Sequence, residues 1–264
     1  TSMVIESWLN ERADNKSRGM IFSLYISITL LGVVGGQMTV AFVDIHTPVL
    51  FMIAGIYYCV AMLPTLISTA QTPKPLNEIS LDLPALYRNS PVSFVGILLV
   101  GIANGAWGTL GAVFGAKAGL TAGDIALMMT ITIFAGAAMQ IPAGRMSDRM
   151  DRRYVMAILS GIAWLAGFQM FVLAPNNVVV MLILVGVYGA TANALYPIAV
   201  AHANDFAKPS EFMNVSGGLL LLYGIGTVIG PSVGGPIMQT FGPYALFGVT
   251  AAAHALITIH AIVR

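Results

Sequence analysis

Uncharged polar and aromatic side chains recur at helical spacing within the most apolar stretches of this sequence. In two places an amide precedes an aromatic residue by three positions, so that both side chains share one helix face. Amides and hydroxyls offer hydrogen bonds and rings offer stacking surfaces, which suits binding of a small uncharged molecule. The candidates are Tyr25, Thr29, Gln37, Asn104, Trp107, Asn193, Tyr196, Tyr223 and Thr227. For each of them the alternative is a hydrogen bond between packed helices, which contributes about 0.6 kcal/mol.

The same stretches offer little chemistry for catalysis. No Asp, Glu, Lys or Arg lies in the middle of an apolar stretch, and the sequence has no H-E-x-x-H, G-x-S-x-G or P-loop pattern. The single cysteine, Cys59, excludes a disulfide framework and a multi-thiolate metal site. His254 and His260 could relay protons, but we expect structural roles for both. We therefore expect no enzymatic activity, no metal and no cofactor.

Composition places these side chains in a membrane. Of the 264 residues, 57% are hydrophobic and 9% are charged, whereas soluble domains carry about 25% charged residues. The net charge of +1 gives no basic footprint for nucleic acid. Runs of about 20 apolar residues are long enough to cross a bilayer. The predicted spans are 19–42, 47–69, 93–116, 123–143, 154–174, 178–202, 213–238 and 241–262.

The basic residues between these spans indicate the topology. Eleven of the 12 lie on one side and only Lys117 lies on the other, so the positive-inside rule makes the first side cytoplasmic, together with both chain ends. Residues 71–92 form the one long connection, and we expect their prolines to break up regular structure. This connection divides the chain into 1–70, a remnant of an N-terminal half, the cytoplasmic loop 71–92, and 93–264, a C-terminal half. The first residue is Thr1, and we expect the chain to be a fragment.

The first and seventh spans share the spacing Y-x3-T-x2-G-x3-G, which indicates an internal repeat. The two copies are Tyr25, Thr29, Gly32 and Gly36, and Tyr223, Thr227, Gly230 and Gly234. Both copies point the same way across the membrane, as in a parallel repeat of six-helix units. Chance alignment is the alternative, because Gly and Thr are common in membrane helices.

The segment between the fourth and fifth spans, residues 144–153 (the signature loop), carries the most specific motif. Its sequence GRMSDRMDRR resembles the G-x-L-x-D-R-x-G-R-R loop of the major facilitator superfamily. The matching residues are Gly144, Asp148, Arg149, Arg152 and Arg153. Asp151 occupies the position where the family usually has Gly. A further G-x3-G-P-x2-G-G pattern in the seventh span resembles a helix of the family's drug–proton antiporters and consists of Gly226, Gly230, Pro231, Gly234 and Gly235, which we interpret as helix-packing positions.

The resemblance covers essentially the whole chain, including residues 6–19, and implies an architecture and a function. The fold would be an all-α membrane bundle with eight transmembrane helices, which are helices five to twelve of a twelve-helix, two-half protein. The function would be secondary active or facilitative transport of a small solute by alternating access, with proton coupling left open. The alternative is a permease-like sensor or scaffold that does not transport. We expect a monomer in the bilayer of the bacterial cytoplasmic membrane, without a nucleic-acid partner.

The resemblance also suggests a role for the signature loop. A carboxylate is favoured beside a helix N-terminus, so we expect Asp148 to face the start of the first span near Arg18. Arg149, Arg152 or Arg153 would pair with Asp205 or Glu211, and the resulting network would close the cytoplasmic side. The alternative is a solvated basic loop that only sets the topology, since exposed ion pairs are individually weak.

Overall fold

The computed structural model describes residues 18–44, 47–67, 82–207 and 212–264, and these ranges contain helices and connections but no strand. The chain divides into two compact units, residues 1–78 and residues 79–264. The first unit contains α1 (Arg18–Phe42) and α2 (Val49–Ile67). The second unit contains α3 (Leu83–Asn89), α4 (Pro91–Lys117), α5 (Ala122–Arg149), α6 (Arg152–Leu173), α7 (Val178–Ala192), α8 (Leu195–Asp205), α9 (Phe212–Phe241) and α10 (Ala245–Val263).

Six helical segments of the described ranges are long and apolar enough to cross a membrane, and all six belong to the second unit. α7 and α8 together make one of them, Val178–Asp205. In the first unit, shorter apolar stretches lie within α1 and α2. The predicted all-α membrane architecture is therefore confirmed. Most helix bounds lie within three residues of the predicted spans, but α5 extends six residues further, α10 begins four residues later, and the predicted span 178–202 is divided into α7 and α8.

The connection 71–92 is more regular than its prolines suggested. Residues 68–81 lie outside the described residues, but Leu83–Asn89 form the short helix α3, and the expectation of irregular structure was wrong there. Pro84 occupies the first turn of α3 and Pro91 begins α4. Proline is favoured at a helix start because the missing N–H has no intrahelical partner at that position. These prolines start helices instead of interrupting them.

Two hydrophobic clusters hold the second unit together, one near each end. The cluster at the end of the signature loop includes Ile97, Met156 and Leu195, all fully or almost fully buried. The other contains the aromatic cluster, which consists of Trp107, Phe114, Tyr188 and Phe247. The ring centroids of Phe114 and Phe247 lie 5.0 Å apart with perpendicular planes, a favourable aromatic geometry.

Glycines bring α4 and α9 into backbone contact. A Cβ on Gly226 would collide with the carbonyl oxygen of Leu98, and one on Gly230 with that of Ile102. From the other side, Gly101 and Gly105 lie as closely against the backbone at Tyr223 and Thr227. Small residues at such a contact allow the close helix approach that drives association in lipid.

The rest of the predicted packing motif lies further along α9. A Cβ on Gly234 would lie 3.1 Å from Leu110 Cδ1, so this position is tight against a side chain. A Cβ on Gly235 would meet no atom within 4 Å, and Pro231 lies within the helix. The motif is therefore a contact face at Gly226, Gly230 and Gly234, whereas Gly235 lies beside open space.

The segment Val178–Asp205 is interrupted at Asn193–Ala194, between α7 and α8. Pro197 follows four positions after Asn193 and has no N–H to donate to its carbonyl oxygen. Both interrupting residues keep near-helical dihedral angles, with φ −73° and ψ −18° at Asn193. The segment therefore bends without reversing, and the bend lies one turn before the proline that causes it.

Candidate functional site

The signature loop is mostly helix. α5 continues to Arg149 and α6 begins at Arg152, so only Met150 and Asp151 connect them. Asp151 caps α6, and its Oδ1 accepts a hydrogen bond from the backbone N–H of Arg153 at 3.0 Å. Its φ of −56° is ordinary for any residue, so the turn does not require the glycine of the family pattern.

Asp151 is also paired with Arg153. Arg153 Nη2 lies 2.7 Å from Asp151 Oδ2. The hydrogen bond from this guanidinium, followed by the backbone N–H, lowers the pKa of Asp151 to about 2. Arg153 Nη1 also donates to the carbonyl oxygen of Arg264 at 2.7 Å, which connects the start of α6 to the end of α10.

Arg152 joins three helices through one guanidinium. Its Nε donates to Asp205 Oδ2 at 2.8 Å, which connects α6 to the last residue of α8. Its Nη1 donates to Ser147 Oγ at 2.6 Å, and its Nη2 lies 3.8 Å from Asp148 Oδ1, both on α5. The Arg152 side chain is 22% exposed and that of Asp205 is 48% exposed. Of the pairings considered from the sequence, the structure therefore shows Arg152 with Asp205.

The remaining residues of the predicted network are only partly described. Arg149 is exposed on the last turn of α5, and Gly144 lies within α5 with open space around it. Glu211 and the side chain of Arg18 lie outside the described residues. The predicted position of Asp148 beside the first span involves residues of different units and stays a prediction, as does the repeat that relates Tyr25 to Tyr223.

Two of the solute-path candidates form a pair across helices. The rings of Tyr196 on α8 and Tyr223 on α9 pack edge to face, with centroids 5.0 Å apart. Both residues are half-buried. Thr227, one turn further along α9, is half-buried and donates its hydroxyl to the Gly224 carbonyl at 2.7 Å. Asn104 on α4 is half-buried as well.

The side chains of two other candidates contact other helices within the second unit. Asn193 Nδ2 donates to the Thr132 carbonyl of α5 at 3.2 Å, and the Asn193 side chain lies against Gly136. Trp107 is 5% exposed and belongs to the aromatic cluster, where its ring lies 5.4 Å from that of Phe247. Asn193 makes the hydrogen bond between helices that was the alternative for it, whereas Trp107 Nε1 has no hydrogen-bond partner among the described residues. Both stay predictions for the solute path.

Three solute-path candidates lie on α1 in the first unit. Thr29 is exposed and Gln37 is half-buried on α1. The side chain of Tyr25 lies outside the described residues. These residues stay predictions for the solute path.

The sequence reasoning missed two residues that the structure brings to prominence. Ser147 occupies a variable position of the signature loop, yet it accepts a hydrogen bond from Arg152. Tyr188 lies fully buried beside His254, with ring centroids 5.5 Å apart. Neither had a sequence signal, since one is a common small residue and the other a single polar residue in an apolar run. His254 Nδ1 lies 2.7 Å from the Thr250 carbonyl, a structural contact of the kind expected for it.

A unit of six apolar segments, each long enough to cross a bilayer, defines an integral membrane protein of the helical-bundle class. The family model of the Major Facilitator Superfamily matches residues 90–264, and the chain belongs to this superfamily. It is 26% identical over 248 residues to the uncharacterised MFS-type transporter YcaD of Shigella flexneri. The identity is the same to YcaD of Escherichia coli strains. Each alignment covers 93% of this chain and 63% of the relative, so the chain spans less than two thirds of these relatives. These relatives are named as transporters.

Proposed function

We propose that the protein is a secondary transporter that moves a small solute across the bacterial cytoplasmic membrane by alternating access. The observation that carries the proposal is the junction at Arg152, where one guanidinium connects α5, α6 and α8. The membership of the superfamily supports solute transport in general. The contacts of Arg152 could hold α5, α6 and α8 together at one end of the bundle, and their loss could release these helices.

The bend at Asn193–Ala194 would allow α8 to move relative to α7. α8 has only 11 residues and is separated from α7 by the bend, so it can change its angle without disturbing the packing of α7. Its far end is held by the ion pair between Asp205 and Arg152. Release of this ion pair would loosen that end of α8, which the hydrogen bond from Ser93 Oγ to the Ala199 carbonyl at 2.7 Å also holds, and hinge motions are a common basis of alternating access.

The proposed solute path runs along the half-buried polar side chains of the second unit. Tyr196 and Tyr223 provide ring faces, and Asn104 and Thr227 provide amide and hydroxyl groups. Tyr25, Thr29 and Gln37 would line the path from the first unit. We infer a neutral or amphipathic solute, such as a sugar or a hydrophobic drug-like compound, because these groups carry no charge.

The positive-inside distribution supports a cytoplasmic position for the signature loop and both ends of the chain. On this topology, the Arg152 junction forms the cytoplasmic gate. We propose that the transporter acts as a monomer.

The experiment that tests the proposal measures translocation directly. The complete protein is reconstituted into proteoliposomes and assayed by counterflow with a panel of labelled neutral sugars and amphipathic dyes. We expect saturable uptake of at least one compound that empty liposomes do not show. A Tyr196→Ala or Tyr223→Ala variant should raise the half-saturating concentration, while Tyr87→Ala, at an exposed ring on α3, serves as the matched control.

The same experiment separates transport from the alternative function. A compound that binds to the purified protein but never accumulates in the liposomes would indicate a sensor or scaffold. In that case the Tyr196 and Tyr223 variants would lose binding without any change in uptake.

A further inference from the structure

A polar cavity of about 550 Å³ lies at the end of the second unit that carries the signature loop. The α3–α4 junction, the α5–α6 turn and the end of α8 form its walls. The residues that matter for its chemistry are Ser90, Arg152, Arg153, His202, Asp205 and Arg264. Its volume is within the range of small-ligand sites, and its lining is more polar than that of most of them.

Ser90 is the first unusual feature of this cavity. It precedes α4, a helix of 27 residues, at the N-cap position, yet its side chain makes no capping hydrogen bond. Ser90 is only 1% exposed, and its Oγ has no hydrogen-bond partner within the described part of the chain. Burial of a hydroxyl without a hydrogen-bond partner is unfavourable. The position of Ser90 on the cavity wall therefore suggests that a bound molecule accepts the missing hydrogen bond.

The start of α4 provides a further donor beside this hydroxyl. The backbone N–H of Val92, which lines the cavity, lies in the first turn of α4, where the helix itself provides no carbonyl to accept from it. The peptide dipoles of α4 add a partial positive charge at this N-terminus. An anion with several acceptor oxygens suits such a set of donors.

The charges around the cavity also favour an anion. Three arginines and two aspartates line it, and the aspartates are already paired with Arg152 and Arg153. Arg264 is the third arginine of the lining and has no paired aspartate among the lining residues, and His202 lies 5% exposed on the wall. With its carboxylates paired, the cavity can accept one further negative group.

We propose that this cavity binds a phosphate group, either as the free anion or as the head group of an anionic phospholipid. The phosphate oxygens accept hydrogen bonds from Ser90 Oγ–H and from the first turn of α4, and the charge of Arg264, which lines the cavity, favours the anion. A basic pocket between transmembrane helices at one membrane surface is a recurrent setting for lipid head groups. The bound phosphate would connect α4, α6 and α8 at the same end of the unit.

Thermal unfolding of the complete protein in a neutral detergent tests the proposal without any transport assay. The probes are inorganic phosphate against chloride at equal ionic strength, and dihexanoyl phosphatidylglycerol against dihexanoylglycerol, which lacks the phosphate. At saturation we expect phosphate or phosphatidylglycerol to raise the Tm by about 3 °C or more. The double variant Ser90→Ala/Arg264→Gln, which removes the hydroxyl and the unpaired charge, should weaken the apparent affinity about tenfold.

Matched variants separate loss of the site from loss of the fold. Ser90→Thr keeps the hydroxyl and should bind like the wild type, and Arg145→Gln removes an exposed charge of α5 that does not line the cavity. A response to both phosphate probes indicates an open phosphate site, and a response to phosphatidylglycerol alone indicates a lipid site; either supports the proposal. The absence of a shift with both probes, or an equal shift in the double variant, would overturn it.

Discussion

Arg152 extends from the first turn of α6 to the last residue of α8, where its Nε lies 2.8 Å from Oδ2 of Asp205. The ion pair therefore joins the start of one membrane-spanning segment, α6, to the end of the next one, Val178–Asp205. Together with the hydrogen bond from Ser93 Oγ to the Ala199 carbonyl at 2.7 Å, this ion pair holds the end of α8 that lies beyond the bend.

Removal of this ion pair should open the cavity beside it. Ala201 of α8 lines a small cavity together with Asp148 and Arg152, so a cysteine at this position reports on access. In a Cys59→Ser background, we expect Arg152→Gln to raise the labelling rate of Ala201→Cys by a thiol reagent about two- to fivefold, which corresponds to loss of a partly exposed ion pair.

Two further variants show whether the ion pair itself is responsible. The combination of Arg152→Gln with Asp205→Asn should label no faster than either single variant, because both remove the same interaction. Arg149→Gln removes an exposed charge of the same turn and should leave the rate unchanged. Additive effects of the two single variants would contradict the role of the ion pair.

Substitution of the contact glycines should separate α4 from α9. We expect Gly226→Ala and Gly230→Ala each to lower the free energy of unfolding by about 1–3 kcal/mol, because the added Cβ would collide with the backbone of α4. Reversible unfolding in mixed detergent micelles measures the change. Gly235→Ala is the control, since open space surrounds this position, and it should be neutral or stabilising by up to about 1 kcal/mol. Equal effects at all three positions would exclude backbone contact as the cause.

Replacement of the bend-forming proline should stabilise the protein and slow transport. Pro197 is exposed, so Pro197→Ala leaves no internal cavity and restores an N–H that can donate to the Asn193 carbonyl. We expect the free energy of unfolding to rise by about 1–3 kcal/mol and counterflow to become slower as α8 loses its freedom. A stabilised variant with unchanged counterflow would remove the bend from the mechanism.

Acid conditions should remove the stability that the charge of Asp151 contributes. Its pKa in the folded protein is about 2, below the value of 3.8 for a free side chain. Its contribution to stability is therefore complete above about pH 4 and is lost as the pH falls through about 2. Asp151→Asn keeps a capping side chain but not the charge, so the difference in Tm from the wild type should stay constant between about pH 5 and 8. It should shrink towards zero in more acidic buffer, and a difference that is independent of pH throughout would contradict the assignment.

The sequence predicted the apolar helices well because a bilayer imposes a strict length and composition on them. It was less accurate where helices extend beyond the apolar core. Residues 144–149 carry charges and were interpreted as a loop, but α5 continues through them. Charged residues such as Arg145 and Arg149 are good helix formers, and outside the apolar core nothing opposes their hydration.

The functional site was predictable only in part, for a similar reason. The Arg152–Asp205 pairing was among the possibilities because both residues were expected on the same side of the membrane. The hydrogen bond from Asn193 to the Thr132 carbonyl depends on how α5 and α7 pack. Helical periodicity within one segment does not predict the packing between two segments. The orphan hydroxyl of Ser90 had no sequence signal at all, since serine before a helix normally caps it.

The backbone contact between α4 and α9 has a practical consequence for measurements of motion. Backbones in direct contact leave little room for the two helices to separate, so we expect α4 and α9 to move together during a conformational cycle. A spectroscopic probe attached to the exposed side of α9 would therefore report the displacement of α4 as well, and two probes placed across this seam would keep a constant separation.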